Sequence, residues 1–393
     1  MTAQIPGGKP SPVLKQMNDP DNSALSSLRA IGRAAADLRR GLAVGVRDAA
    51  GQTAVGFAAE NLSDAALEHM RTLSTNSGLD ARLALTAQRA RVLKIAARAP
   101  VITLGLDARF DAAALATLAD PSADLDNPMR GPFEVDYDAP SDAAQALVAL
   151  CKLARLLPAA VIVTADPTRI DALITWANAE DVLWSDAAAI DDFPANEAAA
   201  LSIVTQARVP LADAENCQIV AFRPADGGVE HLAIIVGDPS RHEPVLARLH
   251  SECFTGDLLG SLKCDCGDQL RGAIAEMAAA GSGVLCYLAQ EGRGIGLINK
   301  LRAYGLQAQG FDTVDANERL GFEPDERIFQ PAAEMLGLLG FSSVRLMTNN
   351  PDKVTGLSEN GIEVIERVSH KFPANAHNEH YLTTKRQRSG HLL

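Results

Sequence analysis

Val245-Leu-Ala-Arg-Leu-His250 runs through Ser251-Glu252 into Cys253-Phe-Thr-Gly-Asp-Leu-Leu-Gly-Ser-Leu-Lys-Cys264-Asp-Cys266, and later reaches Gln290-Glu-Gly-Arg-Gly-Ile-Gly296. The run Val245–His250 reads as a strand. Gln269–Ala280 has the pattern of a helix closed by Gly281, and Val284–Leu288 is an apolar run bounded by turn residues, a buried strand. The glycine-rich turn then opens a helix over Leu297–Gln309. Alternation of this kind places the chain in the α/β class, with an α+β admixture.

Within that frame the three cysteines carry the first chemical signal. Cys264 and Cys266 are one residue apart, and Cys253 lies a short loop away, so three soft thiolates can converge on one metal ion. Zinc accepts such a set, and three protein ligands leave a fourth tetrahedral position for water, as a catalytic site requires. The alternative is a redox pair, but Cys264 and Cys266 lack the usual two-residue spacer and would strain the ring. A bound metal would bring the pKa of its water toward neutrality.

The bulk properties bound the rest. A chain of 393 residues is long enough for two domains. A hydrophobic share of 47% with 22% charged residues describes an ordinary globular protein. The net charge of −13 excludes a nucleic-acid-coating surface, so an anionic substrate must meet a local basic pocket. No run of apolar residues is long enough to span a membrane. Residues 1–22 read as a disordered tail without an apolar signal core. The six cysteines are expected to stay reduced in the cytoplasm. Cys151 and Cys286 sit in apolar segments and read as core residues.

Further elements follow from local pattern. Helices are expected over Ser23–Gly41, Asp64–Ser74, Ala143–Leu156 and Thr168–Ala179. Strands are expected at Leu42–Val46 and Ala159–Thr164, and Asp120–Pro140 reads as a loop. Asp192–Pro210 is the linker candidate, although Glu197–Gln206 could be helical. Beyond it, Cys217–Phe222 and Leu232–Val236 read as strands joined at Asp226-Gly227-Gly228. Val344–Met347 is a strand that stops at Thr348-Asn349-Asn350-Pro351, where Pro351 can start a helix. Ile362–Val368 is the last strand. Two domains result, over 23–198 and 199–393.

The second signal is Glu291-Gly292-Arg293-Gly294, whose backbone amides can face an anion ahead of a helix. Arg248, His250 and Glu252 alternate on one strand face, which could equally be a solvated one. Asp325-Glu326-Arg327 follows Pro324 in a loop and could be merely solvated. Lys353 sits where a strand meets a helix, the end at which open α/β sheets bind ligands, and can reach a phosphate.

Together these residues resemble GTP cyclohydrolase II over roughly residues 200–393. The resemblance is carried by Arg248-Leu-His-Ser-Glu-Cys253, Leu262-Lys-Cys-Asp-Cys-Gly267 and Gln290-Glu-Gly-Arg-Gly-Ile-Gly-Leu297. Asn299-Lys-Leu-Arg-Ala-Tyr304, Asp312-Thr-Val-Asp-Ala-Asn317, Thr348-Asn-Asn-Pro351 and Asn378-Glu-His-Tyr-Leu382 extend it. It implies one zinc on Cys253, Cys264 and Cys266, and hydrolytic opening of the guanine ring at C8 with loss of that carbon as formate. Arg248, Glu252, Gln269, Glu291, Arg293, Thr313, Thr348 and Lys353 would line the GTP site, with magnesium on the triphosphate. Asp325 would be the proton acceptor and Tyr304 a residue at the ring. Arg327 matches a family residue given a role at the α-phosphate. Its guanidinium stays protonated, so stabilising transition-state charge is the easier task. Either Glu291 or Glu252 can accept from the guanine N–H edge. The resemblance also implies a homodimer, acting in riboflavin synthesis.

Residues ~23 to 198 resemble, more faintly, dihydroxybutanone phosphate synthase. Ala35-Ala-Asp-Leu-Arg-Arg-Gly-Leu-Ala-Val44 and the helix and strand over 144–163 carry this. The acidic Arg-Glu-Asn-Glu-Gly-Asp loop of that family is replaced by Asp48-Ala-Ala-Gly-Gln-Thr-Ala-Val-Gly56, and its His-Thr pair by Ser141-Asp-Ala-Ala. The expectation is a degenerate synthase-like domain without that activity. Competing readings are a cyclohydrolase serving another route, such as pyrimidine breakdown, and a non-catalytic GTP-binding regulator.

Overall fold

The computed structural model describes residues 22–388 together with Gly390 and Leu392. The expected tail therefore lies outside the described residues, apart from Asn22, which opens the first helix, Asn22–Arg39.

Two seven-stranded sheets organise the chain. The first is built from β1 (Val44–Arg47), β2 (Thr53–Ala58), β3 (Ala81–Thr86), β4 (Val101–Gly105), β5 (Val135–Asp136), β6 (Ala159–Ala165) and β7 (Leu183–Asp186). The second holds β8 (Leu201–Arg208), β9 (Cys217–Pro224), β10 (His231–Gly237), β11 (Val245–Ser251), β12 (Ser282–Leu288), β13 (Ser343–Met347) and β14 (Glu363–Val368). The mixed α/β class expected from the alternation of elements is the class observed.

The first sheet runs β5-β4-β3-β6-β2-β1-β7, and only β1 and β7 pair in parallel. The alternating pattern in this half did not translate into a parallel sheet, because β1 and β2 close a hairpin. Asp48 Oδ1 accepts from Ala50 N at 3.0 Å and Gln52 N at 2.9 Å, and Gly51 takes φ +78°. That Asx-type turn is too short for a crossover helix.

The second sheet runs β14-β13-β11-β12-β10-β9-β8. Its β8–β9–β10–β12 half is antiparallel, and its β12–β11–β13–β14 half is parallel. β11 and β12 are buried on both faces, as parallel strands must be, β11 carrying Arg248 and His250 among its apolar residues.

The linker expected at Asp192–Pro210 is a structured crossing. Pro194 sits in the first turn of the helix Phe193–Ala199, and the next segment is edge strand β8. The β-branched run Ile203-Val204-Thr205 favours extension over the helix considered for it. A bulge at Val204 leaves that side chain exposed at the sheet edge.

The two halves share one core. Ile295, Ala303, Leu306, Ala316, Leu320 and Phe322 pack into the apolar cluster that covers a face of the first sheet around Val55, Leu83 and Val161. Arg302 pins the seam, donating to Glu60 at 2.8 Å and Asp120 at 3.0 Å. Thr86 Oγ1 donates to Gly321 O at 2.8 Å. Cys151 and Cys286 are fully buried, and burial pushes each thiol up to about 12.

Glu197 faces the β9–β10 turn, and burial, followed by Asp226, pushes its carboxyl up to about 7 from 4.5. A raised folded-state pKa contributes stability that is full below 4.5 and is lost as pH rises through about 7. Melting temperature measured by circular dichroism across that window is therefore expected to decline less in Glu197→Gln than in the parent chain.

Candidate active site

The carboxyl ends of β11, β12 and β13 converge, and the chain leaving each one supplies a wall of the same cleft. Ser251 is followed by Glu252 and Cys253, Leu288 by the turn at Gln290–Gly294, and Met347 by Thr348-Asn349-Asn350. Open α/β sheets bind ligands at this end. The cleft is solvent-open, with an empty volume of about 1130 Å³.

The three sulfurs sit at its base. Cys253, Cys264 and Cys266 bring their Sγ atoms within 4.8 Å of one another, with Cys253 and Cys264 3.7 Å apart. The segment after Cys253 forms a single tight turn, Phe254–Leu258, and Gly256 N donates to Cys253 Sγ at 3.3 Å. Glycine is required there. A Cβ on Gly256 would lie 2.8 Å from Cys264 Sγ and 3.0 Å from Cys253 Sγ.

Charge within the trio settles first on Cys253. Hydrogen bonds from the Cys264 and Cys266 thiols, aided by Lys300, hold it far below the usual thiol range. The same bonds push Cys264 up to about 11 and Cys266 well above its ordinary value. Charging all three sulfurs therefore calls for a cation beyond Lys300, and these residues could hold a metal ion.

Lys300 Nζ donates to Cys253 Sγ at 3.0 Å and to Glu291 Oε1 at 2.7 Å. Burial would lower its pKa, and those two bonds raise it instead. Glu291 is itself fully engaged. Oε2 accepts from Phe254 N at 2.6 Å, and Oε1 also accepts from Gly292 N at 3.0 Å. Its carboxylate ties the sulfur loop to the glycine-rich turn. Gly292 and Arg293 both take left-handed φ values, 64° and 62°.

Behind the trio stands Asp257. It accepts from Cys253 N at 3.0 Å and Tyr287 OH at 2.9 Å, and His250 Nε2 lies 3.0 Å from its carboxylate. Burial lowers the pKa of His250, and its bond to Asp257 opposes that shift.

Of the residues expected at the site, Arg248, Glu252, Gln269, Glu291, Arg293, Tyr304, Thr313, Arg327, Thr348 and Lys353 line the cleft with the three cysteines. Arg248 donates to Met347 O at 2.9 Å and to Gln269 Oε1. Burial brings its guanidinium down to about 10. Lys353 Nζ donates to Leu249 O at 2.7 Å, and Tyr304 OH lies 3.3 Å from Thr255 Oγ1. Three buried polar atoms on this wall have no hydrogen-bond partner among the described residues: Arg248 Nε, His250 Nδ1 and Asn350 Nδ2.

Asp325 does not itself line the cleft but stands beside Arg327, which does. Its carboxylate accepts from Arg327 Nε at 2.8 Å and Arg327 N at 3.1 Å. Burial would raise its pKa, but the Arg327 guanidinium beside it holds it below the usual carboxylate range. An acid so paired is a poor proton acceptor and a good orienter of Arg327, whose own pKa rises through the pair.

Sequence reading missed Lys300, Asp257 and Asn350. Lys300 lay in a quoted motif, but nothing in the spacing showed that its helix packs against the sulfur loop.

A family model for GTP cyclohydrolase II matches residues 202–369. A GTP cyclohydrolase-2 of Azospirillum brasilense is 54% identical over 369 residues, 94% of this chain and 95% of that one. A GTP cyclohydrolase-2 of Shigella boydii is 55% identical over 175 residues, and one from an Escherichia coli strain 56%; each match covers 44% of this chain and 89% of the relative. A solved two-domain 3,4-dihydroxy-2-butanone 4-phosphate synthase from A. baumannii aligns over 86% of this chain and 99% of its own. Its TM-score is 0.31 at 16% identity, too faint to bear on the fold. The chain belongs to the GTP cyclohydrolase II family and is an enzyme of that class. No helix among the described residues is long and apolar enough to cross a membrane.

Gly256→Ala is expected to strip bound metal from the purified protein while far-ultraviolet circular dichroism stays unchanged. Metal content by plasma mass spectrometry checks this, and full retention of metal would contradict the packing at Gly256.

Proposed function

We propose that the chain is a zinc-dependent GTP cyclohydrolase II. It would convert GTP to 2,5-diamino-6-(5-phospho-ribosylamino)pyrimidin-4-one, formate and pyrophosphate, the first step of riboflavin synthesis. The observation that carries this reading is the buried sulfur trio at the base of a cleft walled by Arg248, Arg293, Arg327 and Lys353.

The donor set fits zinc. Tetrahedral zinc with Zn–S bonds of about 2.3 Å sets its sulfurs about 3.8 Å apart, and Cys253 and Cys264 stand at 3.7 Å. Zinc on Cys253, Cys264 and Cys266 would supply a water ionised near neutral pH, the nucleophile that ring opening needs.

The chain's own residues do the rest. The cationic wall receives the triphosphate, which would arrive with magnesium, and Arg327, fixed by Asp325, is set to stabilise charge developing at phosphorus. Thr313, Thr348 and Gln269 add polar contacts. Glu291 already accepts three hydrogen bonds, whereas the Glu252 carboxylate lines the cleft and, among the described residues, meets no hydrogen-bond donor or ion-pair partner. Glu252 is therefore the better acceptor for the guanine N1–H and amino group. Tyr304 stands between Thr255 and Lys263, whose Nζ lies 4.8 Å from its ring, and its hydroxyl can donate at the base.

The unpartnered Arg248 Nε, His250 Nδ1 and Asn350 Nδ2 favour a polar ligand, since buried polar atoms are costly when unsatisfied. The proposal also takes the region 199–393 as the catalytic domain, with 23–198 as a synthase-like domain without its chemistry. It places the enzyme in the cytoplasm as a homodimer.

Incubating the metal-loaded protein with GTP should release formate and pyrophosphate in equal amounts. Cys264→Ser should abolish both, and Glu252→Gln should raise KM for GTP about tenfold or more through a lost charge-assisted bond. Full turnover by Cys264→Ser would refute the metal's role. Pyrophosphate without formate would refute the full reaction.

A further inference from the structure

The carboxyl end of the helix Asp142–Leu153, in the first half of the chain, reaches both loops that carry charge into the cleft. Arg155, just past that helix, has φ 59°, a left-handed conformation that arginine seldom adopts. Its side chain and backbone grip the glycine-rich turn at both ends. Nη2 donates to Ala289 O at 3.1 Å, where the chain enters the turn. The Arg155 carbonyl accepts from Asn299 Nδ2 at 3.1 Å, on the helix that leaves it.

Between these points the Arg155 stem lies over Gly296, which has φ +85°. A Cβ at Gly296 would lie 3.2 Å from Arg155 Cδ and 3.3 Å from its Cβ, so the two are fitted to each other. Ala289 N donates in turn to His231 Nδ1 at 3.1 Å, so this peptide is held from both sides.

Lys152 extends the grip to the second loop. Its Nζ lies 2.6 Å from Glu326 Oε1, with both side chains about three-quarters covered. Glu326 N donates to Arg293 O at 3.0 Å, and Arg293 donates to Pro324 O at 3.1 Å. The turn bearing Glu291 and Arg293 and the loop bearing Arg327 are thereby linked to each other and to one helix end. Strained backbone held in this way belongs to sites whose geometry matters.

We propose that Arg155 and Lys152 are positioning residues for the nucleotide site: the first half of the chain is a fixed brace that sets the spacing of its two charged loops. This rests on the reading of Glu291, Arg293 and Arg327 as substrate-site groups. It gives the first half a task that needs none of the synthase chemistry missing from residues 48–56. The contacts are polar and specific, unlike the shared apolar core, so they can be removed without unpacking it.

Arg155→Gly is the clean truncation, because glycine adopts φ 59° without strain and keeps the carbonyl that Asn299 uses. Hydrogen exchange of the amides in 289–296 and 323–328 is expected to speed up in Arg155→Gly and in Lys152→Glu, with bound metal and secondary structure unchanged. kcat/KM for GTP should fall about 10–100-fold, the scale of a misplacement near 1 Å. The charge swap Lys152→Glu with Glu326→Lys should recover most of the loss seen in Lys152→Glu, and Arg155→Lys should recover part of the loss in Arg155→Gly.

Unchanged exchange in Arg155→Gly would overturn the brace. Faster exchange with unchanged kcat/KM would overturn its role in positioning. Faster exchange in Arg155→Gly, beside a parent chain that itself never turns over GTP, would uphold the brace and sink the cyclohydrolase reading instead, so the two failures are distinguishable.

Discussion

Three sulfur atoms buried within 4.8 Å of one another cannot all carry charge unless cations sit among them. Every neighbouring element answers to that constraint. Lys300 supplies one positive charge from the side, and Glu291 fixes Lys300 while bonding the backbone of both the sulfur loop and the glycine-rich turn. Asp257 takes the backbone amide of Cys253 from behind. A glycine at 256 is the only residue the packing around the sulfurs admits. Chain direction through this region is thus set by where charge can be balanced, with apolar burial providing the platform of β11, β12 and β13.

That platform explains why one cleft can hold both a soft metal site and a cationic wall. The parallel strands end side by side, so three connections of different chemistry start a few ångströms apart. The thiol segment follows β11, the left-handed turn follows β12, and the buried Thr348-Asn349-Asn350 stop follows β13. The helix Leu297–Ala308 closes the arrangement from both sides. One face gives Lys300 and Tyr304 to the cleft, and Ala303 and Leu306 enter the core beneath the first sheet. Site and inter-half packing therefore meet on a single helix, which is why the first half bears mechanically on the second.

Much of this was legible in the sequence where the signal is local. The Cys-x-Cys pair with its upstream partner, the glycine-rich turn before a helix and the strand stop at Thr348 all fell where they were read. Less local features escaped. β2, β3 and β4 were not read: each is a short run, largely buried on both faces, with little polar contrast to mark it as a strand. β8 hid in a stretch taken for a linker, since an edge strand with one exposed face resembles a loop in composition. For Asp325 the resemblance implies a proton acceptor, and what no spacing could show is that the adjacent Arg327 guanidinium engages its carboxylate. Lys152 and Arg155 gave no sequence sign at all, because their partners lie more than a hundred residues away.

The central claim is that these sulfurs form one open metal site. Zinc K-edge X-ray absorption on the purified chain addresses it most directly. Three sulfur scatterers at about 2.3 Å and one oxygen or nitrogen neighbour is the predicted shell. Four sulfurs, or a purified protein that carries no zinc after growth with the metal supplied, would contradict it.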